Sequence, residues 1–176
     1  MISVYADGSS EGNSTGATGY GWIIVRGDEI LDAGNGGSLV GTNNTAELTG
    51  AIEGLKAFKK LKEILGHFNI DINEPVELVS DSQYVLGIAN GGFKPLKNLD
   101  LAKEIKALYE ELGATTRWVR GHNGDVFNEK ADELAKHGKY QYSTQKPTKK
   151  MERRERKKKK DSARKLIIKA FRDTKQ

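Results

Sequence analysis

Four carboxylates, far apart in the chain, stand where metal-assisted chemistry would need them: Asp7, Glu47, Asp81 and Asp132. Asp7 ends the alternating run Ile2-Ser3-Val4-Tyr5-Ala6-Asp7, and Asp81 ends a second apolar run that begins at Val76. If both runs are strands joined by a crossover, they lie parallel and side by side, and ligands of open α/β sheets bind outside the carboxyl ends of strands. Glu47 falls in the expected first turn of a long helix, on the stripe shared by Ala51 and Leu55, so it points inward where an apolar residue would be expected. A carboxylate on a packing face needs a partner. Asp132, next to Ala131 and close to Ala135, again lies near a face that should pack.

Carboxylates that share one pocket raise one another's pKa unless a cation neutralises them. These motifs offer no nearby Arg or Lys, so the expected neutraliser is a divalent metal, and oxygen-only ligands suit Mg²⁺ or Mn²⁺. Two such ions roughly 3.5 to 4 Å apart can activate a water and stabilise the leaving oxygen of a phosphodiester. Taken singly, Asp7 or Asp81 reads as a turn or cap residue, Glu47 as a favourable charge near a helix N-terminus, and Asp132 as a surface residue. The four together, in their settings, point to a site.

The elements that must position them follow from periodicity. Residues 2–7 form a strand, residues 8–19 a Gly/Ser/Thr/Asn-rich loop, and residues 20–25 and 29–35 a hairpin about Gly27-Asp28. Thr42, Asn43, Asn44 and Thr45 offer helix caps before a stripe of Ala51, Leu55, Phe58, Leu61 and Leu65, with Gly66 at the exit. A loop closed by Pro75 leads to a strand at 76–81. Ser82 or Asp81 can cap a helix from about 83 to 89, which Asn90-Gly91-Gly92 stops. A second amphipathic helix spans about 99–112 and ends at Gly113; a strand at 115–120, a loop and a helix from 126 to about 139 complete the pattern. The expected order is βββαβαβα, an α/β layer structure with a five-stranded mixed sheet flanked by helices.

Composition separates this body from the C-terminal stretch. The chain has 176 residues and a formal charge of +5, which suits one ordinary domain plus an appendage. Residues 141–176 hold 15 basic and 4 acidic side chains, a charge of +11, leaving −6 on residues 1–140. The expected division is therefore a catalytic domain at 1–140 and a basic, disordered or partly helical tail at 141–176, with Leu166, Ile167, Ala170 and Phe171 returning at helical spacing. No apolar run reaches the 18 or more residues of a membrane span, and without cysteine there are no disulfides, thiolate metal sites or cysteine nucleophile. The N-terminal residues lack the basic and apolar regions of a signal peptide, so a cytoplasmic location is expected.

Five stretches carry a family resemblance. Tyr5-Ala6-Asp7-Gly8-Ser9 with Gly12-Asn13, Thr42-Asn43-Asn44-Thr45-Ala46-Glu47-Leu48, Ser80-Asp81-Ser82-Gln83-Tyr84-Val85, Trp118-Val119-Arg120-Gly121-His122 and Asn128-Glu129-Lys130-Ala131-Asp132-Glu133-Leu134-Ala135 resemble the consecutive blocks of type 1 ribonuclease H. They cover residues 5–135 in the family's order. The resemblance implies an Mg²⁺-dependent endonuclease that cleaves the RNA strand of RNA/DNA hybrids, leaving a 5′-phosphate and a 3′-hydroxyl. It implies that Asp7, Glu47, Asp81 and Asp132 are metal ligands, and that His122, on a mobile loop, assists proton transfer or product departure. His67 and His137 read as surface residues.

The same resemblance makes Asn13, Asn43 and Asn44 candidates for reading the 2′-hydroxyl, against a competing role of Asn43 and Asn44 as helix caps. It makes Thr42 a candidate for a DNA-strand phosphate. Two departures are visible. Many relatives insert a basic, tryptophan-bearing helix and loop where this chain has only residues 88–98, and Thr45 stands where some carry Arg. Substrate affinity is therefore expected from the tail, through Arg153, Arg154, Arg156, Lys157, Lys158, Lys159 and Lys160. Competing readings are an exonuclease of the same fold, a hybrid-binding module with a dead centre, and a tail that docks a protein or membrane surface. A monomer, without membrane association, is expected.

Overall fold

The computed structural model describes residues 1–11, 16–143 and Lys157. Asn13 and, Lys157 apart, the basic residues of 153–160 lie outside the described residues; Lys157 itself is helical and exposed. The strands are β1 (Ile2–Ser10), β2 (Gly16–Arg26), β3 (Glu29–Gly41), β4 (Val76–Ser80) and β5 (Thr115–Trp118). The helices are α1 (Asn43–His67), α2 (Gln83–Ala89), α3 (Leu99–Leu112) and α4 (Val126–Ser143). Two helices, rather than the single one in the order βββαβαβα, fill the crossover from β4 to β5. Asn90-Gly91-Gly92 and Pro95 cannot continue α2, and Asn98 takes a left-handed conformation (φ 56°) just before α3.

The five strands form one mixed sheet in the order β3-β2-β1-β4-β5. The meander β1-β2-β3 is antiparallel, whereas β4 joins β1, and β5 joins β4, in parallel. Both faces are covered. Ile2, Val4 and Ala6 of β1 pack with α1, α2 and α3 on one side, while Tyr5 packs with Ile23, Val25, Val79 and Ala131 under α4 on the other. The alternation in β1 thus divides the strand between two cores and not between core and solvent.

Local chemistry explains the helix ends. Thr42, and neither Asn43 nor Asn44, is the N-cap of α1: its side chain accepts from the Thr45 N–H, and the Thr45 Oγ1 accepts from the Thr42 N–H at 2.8 Å. Ser82 caps α2, and Gly113 closes α3 in the left-handed conformation (φ 58°). The apolar stripe of α1 is wider than the sequence periodicity shows, because Leu48 and Ile52 are as buried as Leu55. Each such side chain stabilises the fold by about 1.5 to 3 kcal/mol relative to exposure. Among the described residues, no helix is long and apolar enough to cross a membrane.

Candidate active site

Parallel pairing brings the first two carboxylates together. The last Cα partners of β1 and β4 are Tyr5 and Val79, so Asp7 and Asp81 each stand two residues beyond the same point of register. Asp7 does not end its strand, since β1 continues on β2 as far as Ser10; it lies where β4 stops. Only 8% of Asp7 is exposed, and its Oδ1 accepts from the Gly8 N–H at 2.6 Å.

Two glycines let helices reach this point. A Cβ on Gly8 would collide with the backbone of Ala46 and Glu47, so only glycine lets β1 pass the start of α1 closely enough to set Glu47 beside Asp7. On the other face, Gly21 is the Cα partner of Asp7, and a Cβ there would strike the Ala131 carbonyl of α4. The residue after Ala131 is Asp132, whose side chain is 14% exposed. Since α1 begins at Asn43, Glu47 is its fifth residue, one turn deeper than the first-turn position expected from the sequence.

Each carboxylate is supported differently. Glu47 accepts from the Ser82 hydroxyl at 2.6 Å through Oε2 and from the Asn43 amide at 2.5 Å through Oε1. Asp132 accepts from Lys136 Nζ at 2.5 Å. The sequence expectation that no basic side chain reaches the cluster is therefore corrected: Lys136 is one helical turn after Asp132, and i,i+4 spacing places it against that carboxylate.

Electrostatics single out Asp7. Its carboxyl is pushed up from 3.8 to about 7, chiefly by burial, then by the charge of Asp81, with Asp132 and Glu47 adding to the rise and the Gly8 N–H opposing it. Glu47 is also raised, again chiefly by burial; the hydrogen bonds from Ser82 and Asn43 oppose the shift. As these side chains are placed, among the described residues no three acidic or histidine groups converge as ligands of one ion. The donor set nevertheless fits a hard cation: the groups around Asp7 are carboxylate oxygens that repel one another. Ligation would take Asp132 from Lys136, and Glu47 from Ser82 and Asn43.

His122 lies on the loop between β5 and α4, with a left-handed backbone (φ 52°) and a side chain 77% exposed. Its Nδ1 is 3.9 Å from Asp132 Oδ2. The same loop leans on the other carboxylate, because a Cβ on Gly121 would overlap Asp81 Oδ2, and the exposed Trp118 donates its indole N–H to the Asp81 carbonyl at 3.0 Å. Asn43 and Asn44 are exposed at the start of α1. Thr42 is committed to its cap. His67 and His137 are exposed, away from these groups in sequence and without an ion pair to any carboxylate among the described residues. Sequence reasoning missed Lys136, which its spacing could have shown, and it read Ser82 only as a cap.

The RNase H family model matches residues 1–140. Ribonuclease HI of Neisseria meningitidis serogroup A is 36% identical over 155 residues, covering 81% of this chain and 97% of the relative. Ribonuclease H of Caulobacter sp. strain K31 is 36% identical over 148 residues, covering 77% and 87%. Among solved structures, the N-terminal RNase H domain of a Mycobacterium tuberculosis protein matches with a TM-score of 0.67 and 26% identity, covering 81% of this chain and 95% of that one. LC11-RNase H1, solved in complex with an RNA/DNA hybrid, has the same fold at a TM-score of 0.67 and 21% identity, covering 80% and 98%.

Proposed function

The chain belongs to the ribonuclease H family, and from that premise we propose that it is an endonuclease hydrolysing the RNA strand of RNA/DNA hybrids, with Asp7, Glu47, Asp81 and Asp132 holding Mg²⁺. Mn²⁺ suits the same oxygen donors. The observation that carries the reading is the mutual repulsion around buried Asp7, which a divalent cation relieves. Bound there, the metal supplies charge stabilisation on phosphate oxygens and lowers the pKa of water.

The chain's own residues do the rest. Asp7 and Asp81, set at one register by β1 and β4, form the fixed floor of the site, and Glu47 and Asp132 close it from the two faces of the sheet. Hydrolysis requires a water to attack phosphorus in line, a proton to leave that water and a proton to reach the departing 3′-oxygen. His122, exposed beside Asp132, is placed to carry one of those protons or to assist product departure. The products are a 5′-phosphate and a 3′-hydroxyl. Asn43 and Asn44, together with Asn13, read the 2′-hydroxyl, whose donor and acceptor character distinguishes RNA from DNA. Thr42 offers its hydroxyl to a DNA-strand phosphate.

The tail, at +11 against −6 for residues 1–140, supplies affinity through Arg153, Arg154, Arg156 and Lys157 to Lys160. Truncation belongs after Ser143, because α4 continues past residue 139 and the Tyr142 ring lies against Gly37. If the tail neutralises about 4 to 6 phosphates, its removal flattens the salt dependence of log K by roughly 4 to 5 units. An unchanged salt slope and KM would assign the tail to protein docking.

The deciding experiment is cleavage of an internally labelled RNA/DNA hybrid beside RNA and DNA duplexes, with and without Mg²⁺. Internal cuts in the hybrid's RNA strand alone, only with metal, support the proposal. A ladder growing from one end would indicate an exonuclease, and binding without cleavage a hybrid-binding module.

A further inference from the structure

Behind the carboxylates lies a second charged cluster that no catalytic motif includes. Arg117, the penultimate residue of β5, donates its Nε to both oxygens of Glu77 at 3.1 Å and its Nη2 to the Tyr5 hydroxyl at 3.0 Å. Its Nη1 is 3.9 Å from Asp125 Oδ2. Glu77 is buried on β4, and its Oε1 also accepts from the Ser3 hydroxyl at 2.6 Å. Asp125 in turn caps α4: its Oδ1 accepts from the N–H groups of Phe127 at 3.2 Å and Asn128 at 3.1 Å.

Resting on the nuclease reading above, we propose that Arg117 is a positioning residue that clamps both ends of the loop carrying His122 to the sheet. Arg117 precedes this loop and Asp125 closes it, so one guanidinium joins its entry to its exit. The rigid fork of donors suits that task, since three directions are fixed at once. A buried ion pair is weak evidence for stability, because desolvating both charges offsets their attraction. On a face otherwise packed with Ile23, Val25 and Val79, an apolar residue at position 77 would serve stability at least as well. Glu77 is explained instead as an anchor that fixes where the guanidinium points. Tyr5 extends the anchor, with its ring 5.5 Å from the Phe127 ring at the start of α4.

The loop needs such fixing because its tip has few bonds of its own. Val119 N–H donates to the Ser80 carbonyl at 3.2 Å near one end, and Gly124 N–H donates to Glu129 Oε1 at 3.0 Å near the other. Between them His122 holds a left-handed backbone, which costs a non-glycine residue energy. Proton transfer needs heavy atoms within about 2.6 to 3.2 Å, so a loop free to shift spends less time in reach of its target.

The test compares Arg117→Met and Asp125→Asn, each in wild-type and His122→Ala backgrounds, on the full chain. Asparagine keeps the cap of α4 while removing the charge that faces Arg117. The expected kcat losses are about tenfold and about threefold, with KM within twofold of wild type, and hydrogen exchange at residues 119–124 accelerates. In the His122→Ala background both losses disappear, because the residue being positioned is gone. Unchanged kcat in both variants, or losses that recur in full without His122, would overturn the proposal. Should Arg117→Met fail to fold, with Glu77 left buried and unpaired, Asp125→Asn decides alone by the same two readings. A wild-type chain that does not cleave hybrid would refute the nuclease reading and not the clamp.

Discussion

Asp7 and Asp132 carry the same functional group, and the protein treats them in opposite ways. Asp7 is buried between two sheet-covering layers, faces the charges of Asp81, Asp132 and Glu47, and has a backbone N–H as its hydrogen-bond donor. Asp132 lies at the rim with a lysine ammonium 2.5 Å away. The cluster therefore has a repulsive centre and a neutralised edge. Such a centre lowers the stability of the metal-free protein and raises its affinity for a cation, so fold stability is given up where the chemistry needs charge.

The contrast breaks most completely when the centre is neutralised. Asp7→Asn keeps the shape and the Gly8 contact but removes a ligand charge, and cleavage falls by at least about 10³, or roughly 4 kcal/mol of transition-state stabilisation. Asp81→Asn behaves alike. A rate assay on purified, folded variants that returned more than a tenth of wild-type activity would refute the assignment of these ligands.

Next in size is the pH dependence of metal-free stability. The folded value of Asp7, about 7, exceeds its ordinary 3.8, so the native protein still holds a proton that the unfolded chain has lost. Stability is then greatest below about pH 4, falls as pH rises to about 7, and levels above it. Asp7 alone contributes up to about 4 kcal/mol to this fall, and Glu47 acts in the same direction. Thermal melts without metal should show the fall in wild type, a flatter curve in Asp7→Asn, and recovery at pH 8 with millimolar Mg²⁺. A wild-type curve that rises from pH 4 to pH 7 would remove the repulsive centre from the account.

Smaller effects sharpen the rim. His122→Ala lowers kcat by roughly 10 to 100-fold, as suits a proton-transfer assistant outside the ligand set. Lys136→Met leaves Asp132 without its cation and lowers metal-free stability by only about 0.5 to 1 kcal/mol, since the lysine is largely exposed. The same variant should gain more from Mg²⁺ in a melt than wild type does. An equal or smaller gain would show that Lys136 does not compete for Asp132.

What the sequence revealed, and what it hid, divides along the same physical line. Asp7 and Asp81 were legible because strand alternation ends at each, and the parallel register that unites them follows from the crossover rule. The boundaries of α2 and α3 were legible from Ser82, the Asn-Gly-Gly stop and Gly113. Glu77 and Arg117 were not, because their contact joins residues 40 apart through strand pairing, and neither is unusual in its local setting. The inward side of β1 was half legible: alternation marked Ile2, Val4 and Ala6, but only the placement of α4 shows that Tyr5 faces a second core. That placement depends on glycines in β2, whose lack of a side chain carries no hydrophobic signal. The body's boundary was set a little early, since α4 runs to Ser143.

The most direct measurement is a ¹³C NMR titration of the Asp7 carboxyl in the metal-free chain, repeated with Mg²⁺. The account predicts a midpoint near 7 without metal, where burial and three neighbouring carboxylates hold the proton on, and a clear downward shift once a cation neutralises them. A midpoint near the ordinary 3.8 without metal, unmoved by Mg²⁺, would contradict it.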